Sequence, residues 1–493
     1  MSIISVDNLT FGYEGASENV FENVNFKIDT DWRLGFIGRN GRGKTTFLRL
    51  LLGEYEYSGK ITAEVEFNYF PYRAQNEDEA AIAVAESICG RDDWEIVREV
   101  SYLNMNIESL YKPFSVLSGG ERTKLMIAAL FLKENGFLLL DEPTNHLDVY
   151  AKNALRDYLS KKKGFILVSH DRRLLDGCTD HILSINRGGI EVVRGNYSSW
   201  KEEFDLKNRA ELKKNEELKR DIKRLKASAA ETEKWSHKTE KSKNVGRGAT
   251  GVNKIDKGYV GHKSAKLMKR AKNIASRQLK AAEEKGTLLK NVEYSGALKL
   301  SPLSFPKSML VELNNVSIFY DGREVCGGIG FSVERGERVC LRGGNGAGKS
   351  SVLKLIVGED IEYSGEALRS ETLKISYVRQ DSSGLSGTLK EYAGSLGVDE
   401  TLFMTILRKL DFPREVFKYD ISSYSEGQKK KVMLAGSLSE RAHLYVWDEP
   451  LNYIDIISRI QIEELILKFK PTLLFVEHDE EFCSNIADKF VEI

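Results

Sequence analysis

The stretch GRNGRGKTT, residues 38–46, governs how the rest of the chain reads, because residues 343–351 answer it with GGNGAGKSS. Both fit GxxxxGK[ST], both follow a short apolar run (LGFI, RVCL), and both precede a helical pattern (TFLRLLL, SVLKLIV). In that strand, loop and helix context, glycines let the backbone wrap a phosphate chain while free N–H groups and the helix N-terminus supply positive potential. Lys44 and Lys349 are the side chains that would reach the outer phosphates, and the hydroxyls of Thr45 and Ser350 are offered to Mg2+. A single match could be a glycine-rich turn with a stray lysine. Two in register are not.

Outward from these loops the chain keeps repeating itself. LTFGYEG is answered by VSIFYDG, LLLDEPTNHLD by YVWDEPLNYID and FILVSHD by LLFVEHD, at offsets of 305 (Lys44 to Lys349), 307 (Glu142 to Glu449) and 308 (His170 to His478) residues. The runs FLLLDE and LYVWDE read as buried strands that deliver paired acids to the phosphate end of a sheet. The first acid of each pair, Asp141 or Asp448, is suited to hold Mg2+ through water, and the second, Glu142 or Glu449, to polarise an attacking water. An acidic strand end capping the next helix would explain one acid but not the pair in both halves. His170 and His478 end further apolar strands, where they could sense a γ-phosphate.

Between loop and acid pair lie LSGGE, residues 117–121, and YSEGQ, residues 424–428, each introducing a helix. The order of these motifs resembles that of ATP-binding cassette ATPases in both halves. The resemblance implies an α/β fold with two tandem cassettes, each nucleotide lying between the phosphate loop of one cassette and the signature of the other. The first site then joins Gly38, Asn40, Gly41, Gly43, Lys44, Thr45 and Thr46 to Ser425, Gly427 and Gln428. The second joins Gly343, Asn345, Gly346, Gly348, Lys349, Ser350 and Ser351 to Ser118, Gly119 and Gly120. Tyr13 and Tyr320 match the aromatic that stacks on adenine, although an ordinary strand aromatic is the plainer reading. Gln380, in ISYVRQ, matches the glutamine expected after the strand equivalent to FNYF and joins the Mg2+ set, whereas the first cassette has Tyr72 at that point, with Gln75 too far along to stand in for it. Glu426 stands where glycine is usual and is expected to bring a carboxylate near the phosphate end of the first site.

The segment between the cassettes carries a charge pattern of its own. The chain has 73 basic and 73 acidic residues, yet residues 201–290 hold 26 Lys or Arg against 13 Asp or Glu. Within residues 241–280 there are twelve cations and one acid, Asp256. Such asymmetry points to a polyanion partner, a solvated charged helix being the alternative. Leu218, Ile222 and Leu225, and then Leu267, Ala271 and Ile274, recur at helical spacing, as for two arms of about 30 residues, about 45 Å each, zipped antiparallel around a glycine-rich loop. Three domains are therefore expected: a first cassette over 1–200, a basic helical hairpin over 201–305 and a second cassette over 306–493. No run approaches the ~20 apolar residues of a membrane span. The N-terminus does not read as a signal peptide, and five scattered cysteines suggest neither zinc nor disulfides, so a reducing cytoplasm is expected.

Two cassettes, no membrane domain and a helical hairpin linker together resemble the ABC-F proteins, and the phrases GRNGRGKTT, EKWS, LMKRAKNI and WDEPLNYID are similar to their Lsa and Vga antibiotic-resistance group. The resemblance implies ATP and Mg2+ as cofactors and the ribosome as partner, with the linker tip near the peptidyl-transferase centre, large-subunit rRNA and P-site tRNA. It also implies a monomer whose two cassettes pair with each other. A housekeeping translation factor of the same fold would share every ATPase motif. A membrane importer has no use for the basic hairpin, and a DNA-repair ATPase would insert coiled coils or zinc modules within a cassette.

Overall fold

The structure is a computed structural model describing residues 2–15, 19–72, 74, 76–144, 147–186, 189–241, 269–270, 273–274, 276–277, 280, 298–344 and 346–493. Residues 1–200 and 296–493 form one compact unit holding both cassettes, and residues 201–295 form a second.

The first cassette is built on a six-stranded sheet in the order Glu66–Phe70, Gly136–Asp141, Phe165–Val168, Arg33–Gly38, His181–Asn186, Gly189–Arg194. Five strands run parallel and the last is antiparallel. The apolar runs at its centre explain this: Phe165–Val168 is buried at every position, as a parallel sheet covered on both faces requires. A three-stranded antiparallel sheet, Phe21–Asp29, Ile3–Phe11 and Ser58–Thr62, lies beside it, and the two share a core that includes Phe36, Phe47, Leu139 and Ile166. The second cassette repeats the plan with five parallel strands, Ile375–Val378, Leu444–Asp448, Leu473–Val476, Arg338–Arg342 and Lys489–Glu492.

A helical subdomain completes each cassette: Ala81–Cys89, Asp93–Ser101 and Gly119–Phe131 in the first, Leu389–Ser395, Glu400–Lys409 and Glu426–Ser439 in the second. The signature motifs are the starts of the last helix in each set. Ser118 and Ser425 are the N-caps, each in a reciprocal capping box with the residue three further on, Glu121 or Gln428. The cap satisfies helix N–H groups that would otherwise lack partners, so the signature fixes where its helix begins.

The chain leaves the first cassette as a helix of 45 residues, Tyr197–Lys241. That is longer than the arm the sequence suggests, because polar, helix-favouring residues continue on both sides of the apolar stripe. The half-buried stripe comprises Leu218, Ile222 and Leu225, flanked by buried Asn215 and Ala229. Lys269, Arg270 and Ile274 are helical and exposed. The glycine-rich loop with Ile255, Tyr259 and Val260, the cations Lys263, Lys266 and Lys272, and Leu267 and Ala271 lie outside the described residues, as does Gln75. Among the described residues no helix is long and apolar enough to cross a membrane.

Candidate nucleotide sites between the cassettes

Each phosphate loop leaves a central strand and enters a helix whose first residue is the motif lysine, Lys44–Leu51 or Lys349–Val357. The cap glycines Gly43 and Gly348 have φ of 94° and 92°. A Cβ on Gly43 would come within 2.5 Å of Val20 Cγ1, and one on Gly348 within 2.6 Å of Cys326 Sγ, so glycine is needed for conformation and for space. Lys44 Nζ donates to the Gly38 and Arg39 carbonyls at 2.7 and 3.2 Å, and Lys349 Nζ to those of Gly343 and Gly344 at 3.0 and 2.8 Å. Burial lowers the pKa of both ammonium groups.

The first acids stand beside the motif hydroxyls. Thr45 Oγ1 donates to Asp141 Oδ2 at 2.8 Å, and the Tyr69 phenol donates to the same oxygen at 3.0 Å. Burial pushes the Asp448 carboxyl up to about 6 against the lowering influence of Ser350, and its Oδ1 is buried with no hydrogen-bond partner. An orphaned buried carboxylate oxygen beside a hydroxyl is the donor chemistry a hard divalent cation takes.

The second acids differ between the sites. Both sit in left-handed backbone, Glu142 at φ 51° and Glu449 at φ 47°, with their N–H groups tied to the Val168 and Val476 carbonyls. Glu449 is surrounded by donors. His478 Nε2 is 3.2 Å from its Oε1, Asn452 Nδ2 donates to its Oε2 at 2.6 Å, and the Gln380 side chain adds to the lowering of its pKa. Burial works to raise its pKa, but these groups together bring it below the ordinary glutamate value. Glu142 has no such set. His170 Nε2 lies 3.1 Å from its Oε1 without hydrogen-bond alignment, that oxygen has no hydrogen-bond partner, and burial pushes the carboxyl up to about 8. Burial also holds the His170 ring well below its ordinary pKa, so it is neutral. Tyr72 supplies no counterpart to Gln380: it lines a separate cavity beside Asp141 and Glu142.

The two sites also differ in which signature residues face them. In the first, a cavity of about 420 Å3 places Lys44, Thr45, Glu142 and His170 opposite Ser425, Gly427 and Gln428 of the second cassette. Tyr13, Asn40, Gly41, Gly43, Thr46 and Asp141 line it too, the Tyr13 hydroxyl sharing a 2.7 Å hydrogen bond with Thr46 Oγ1. Asn40 Nδ2 donates to the Tyr453 carbonyl at 2.6 Å, directly across the cassette boundary. The second cavity, about 690 Å3, gathers Lys349, Ser350, Ser351, Gln380, Glu449 and His478, with Gly346 and Gly348, takes only Gly119 from the opposite signature, and extends to Glu142 and His170 of the first site. Ser118 and Gly120 line a different space of about 650 Å3 with Lys124, Asp148 and Tyr150 of their own cassette. Tyr320 is 41 % exposed at the end of its strand and is not part of the second cavity's lining, and Asn345 lies outside the described residues.

Glu426 corrects a sequence expectation. As the first residue of its helix it accepts a hydrogen bond from Ser382 Oγ and pairs with Lys429 at 3.4 Å, and Gly427, not Glu426, lines the first cavity. Sequence reading also passed over the lysines that follow. Lys430 donates to the Arg379 and Glu449 carbonyls at 3.0 and 3.4 Å, and Lys431 to Asp455 Oδ2 at 2.8 Å, all buried. A run of three lysines reads as a solvated face, and only the carbonyls and Asp455 waiting around the helix make it internal. Among the described residues Tyr69 is the clearest omission, since a strand tyrosine carries no motif of its own.

The family model of the ABC transporter matches residues 21–145 and 326–452, just over half the chain. Along 99 % of its length the chain is 24 % identical to ABC transporter F family member 2 of Arabidopsis thaliana, covering 76 % of that protein. The chain belongs to the ABC-F family of ATPases. Another relative is ribosome protection protein VmlR of Bacillus subtilis (strain 168), 27 % identical over 99 % of this chain and 86 % of its own length. Among solved structures, an archaeal ribosome recycling factor, aABCE1, in complex with the stalk protein aP1 shares the fold at TM-score 0.62, with 17 % identity over 98 % of this chain and 87 % of that one. Both cassettes of this ABC-F chain are thus ATP-binding domains, and the chain is an ATPase.

Proposed function

We propose that this chain binds the ribosome in an ATP-dependent manner and protects the peptidyl-transferase centre from lincosamides, pleuromutilins and group A streptogramins by inserting its interdomain segment toward the drug pocket. The observation that carries the reading is the element leaving the first cassette. A helix of 45 residues leads into a stretch with twelve cations and one acid, in a chain with no membrane-spanning helix among the described residues. A concentrated run of cations is suited to RNA phosphate, where counterion release supplies most of the affinity. The likeness to VmlR along nearly the whole chain supports the same reading.

In this reading Lys44 and Lys349 bind the outer phosphates, while the hydroxyls of Thr45 and Ser350 with Asp141 and Asp448, and Gln380 at the second site, hold Mg2+. When bound, the ion offsets phosphate charge. Glu449, ionised and held by His478, Asn452 and Gln380, takes a proton from the attacking water. Tyr13 is the adenine-facing aromatic of the first site. Residues 201–295 form the ribosome-facing domain, shorter than the 201–305 expected from the sequence because Leu298, Leu300 and Phe305 are buried in the second cassette's cores, and the whole works in the cytoplasm, on large-subunit rRNA and P-site tRNA.

The deciding experiment expresses the parent chain and a deletion of residues 250–260 in a drug-susceptible host and measures inhibitory concentrations for the three drug classes. Protection by the parent and none by the deletion, with ATPase activity intact in both, is the expected result. No protection by a parent that still co-sediments with ribosomes would favour a housekeeping translation factor, and full protection by the deletion would remove the loop from the mechanism.

A further inference from the structure

Counting from the two motif histidines, the next helices begin with opposite charges. His170 is followed by N-cap Asp171 and then Arg172 and Arg173, whereas His478 is followed by N-cap Asp479 and then Glu480 and Glu481. A second pair of equivalent positions repeats the contrast: eight residues after the capping Asp148 stands Arg156, and eight after the capping Asp455 stands Glu463. Three basic residues of the first cassette thus correspond to three acidic residues of the second.

These residues meet across the cassette boundary. Arg172 Nη2 lies 2.9 Å from Glu463 Oε2 and Arg172 Nη1 lies 3.3 Å from Glu481 Oε1, while Arg173 pairs with Glu480. The contact is desolvated at its centre, Arg172 having 4 % and Glu463 13 % of their side chains exposed. The other oxygen of Glu463 accepts from Asn485 Nδ2 at 2.6 Å, which fixes the carboxylate toward Arg172. Arg156 lines the adjoining cleft with Arg173 and Glu480.

Two copies of the first cassette brought together in this geometry would bury arginine against arginine, and two copies of the second would bury carboxylate against carboxylate. Either arrangement leaves buried charge without a counter-charge, which costs far more than the matched pair gains. We propose that this surface is a charge code for partner choice: it accepts the unlike cassette and rejects a like one. It concerns cassette pairing alone and stands whether or not the ribosomal reading holds.

The test uses full-length chains. Arg172→Glu with Arg173→Glu, and separately Glu463→Arg with Glu480→Arg and Glu481→Arg, each create a like-charge contact, and each should lower ATPase activity by about tenfold or more. Combining all five reversals, Glu463 included because it faces Arg172, restores opposite charges and should return activity to within about threefold of the parent. Mixing the two reversed variants should generate, by light scattering, a species of twice the 55.7 kDa chain mass, because each first cassette then finds its complement only in the other chain. A fivefold variant as impaired as the partial reversals, partial reversals with parental activity, or a mixture with no doubled species would overturn the proposal.

Discussion

Arg42 of the first phosphate loop places Nη2 3.0 Å from Asp411 Oδ2 in the helical subdomain of the second cassette, and Arg39 Nε approaches the same oxygen at 3.9 Å. Aligned on the loop glycines and on the signature serines, the counterparts at the second site are Gly344, Ala347 and Asn104. Asp411 and Asn104 share a left-handed backbone, φ 54° and 51°, so the scaffold is the same and only the charges differ. An ionic clasp therefore spans the first site and has no equivalent at the second.

Cutting the clasp should loosen the first site selectively. Asp411→Asn removes a partly exposed ion pair worth about 1 kcal/mol, so the slower phase of fluorescent ATP-analogue release should quicken about fivefold while the faster phase is unchanged. Installing the clasp opposite, Ala347→Arg with Asn104→Asp, should slow the faster phase. Release with both phases untouched in both variants would show that the arginines do not hold the site shut.

The two glutamates should be unequal. Glu449→Gln is expected to remove most turnover, a loss of about 100-fold or more, because it removes an ionised and fully positioned proton acceptor. Glu142→Gln should cost much less, since that carboxyl is largely protonated at neutral pH. The double variant should bind ATP and stay closed. Parental hydrolysis by the double variant would refute both assignments, and equal losses in the two single variants would refute the asymmetry.

The pH dependence follows from Glu142. In a Glu449→Gln background the residual ATPase activity belongs to the first site and should climb as the pH rises through about 8, where Glu142 becomes ionised. Stability runs the other way. A carboxyl whose folded pKa is raised favours the folded state below its unfolded pKa of about 4.3, and that contribution is lost as the pH climbs through the folded value. Melting curves from pH 6 to 9 should therefore show the parent losing stability relative to Glu142→Gln, and parallel curves would contradict the raised pKa.

Ribosome affinity should fall steeply with salt. Replacing Lys263, Lys266, Lys269, Arg270 and Lys272 with glutamine should flatten the slope of log affinity against log salt while leaving ATP binding intact. An unaltered slope would move the RNA contact to another surface.

The fold and the phosphate chemistry were legible because they rest on local patterns: glycines at positive φ, apolar strands ending in acids, and serine caps three residues before Glu121 and Gln428. The inequality of the sites was legible only in part, through Tyr72 standing where the second cassette has Gln380. It depends on what faces each loop across the boundary, and nothing near Arg42 in the sequence points to Asp411, 369 residues away. Glu426 misled for a related reason. Its position one residue after the capping serine suggested the phosphate end, but its direction is set by Ser382 and Lys429.

The left-handed backbone at Glu142 and Glu449 carries a consequence for how the protein can be improved. A side chain with a Cβ pays about 1 kcal/mol or more to hold such a φ, and glycine does not. Glycine at both positions should therefore give a higher melting temperature than glutamine at both, although glycine keeps no side-chain contact and loses more chain entropy on folding. Selection for thermal robustness alone would drive these two positions toward glycine and silence the enzyme. Stability and activity are in direct antagonism there, and the retention of glutamate marks the points at which the fold is held against its own preference.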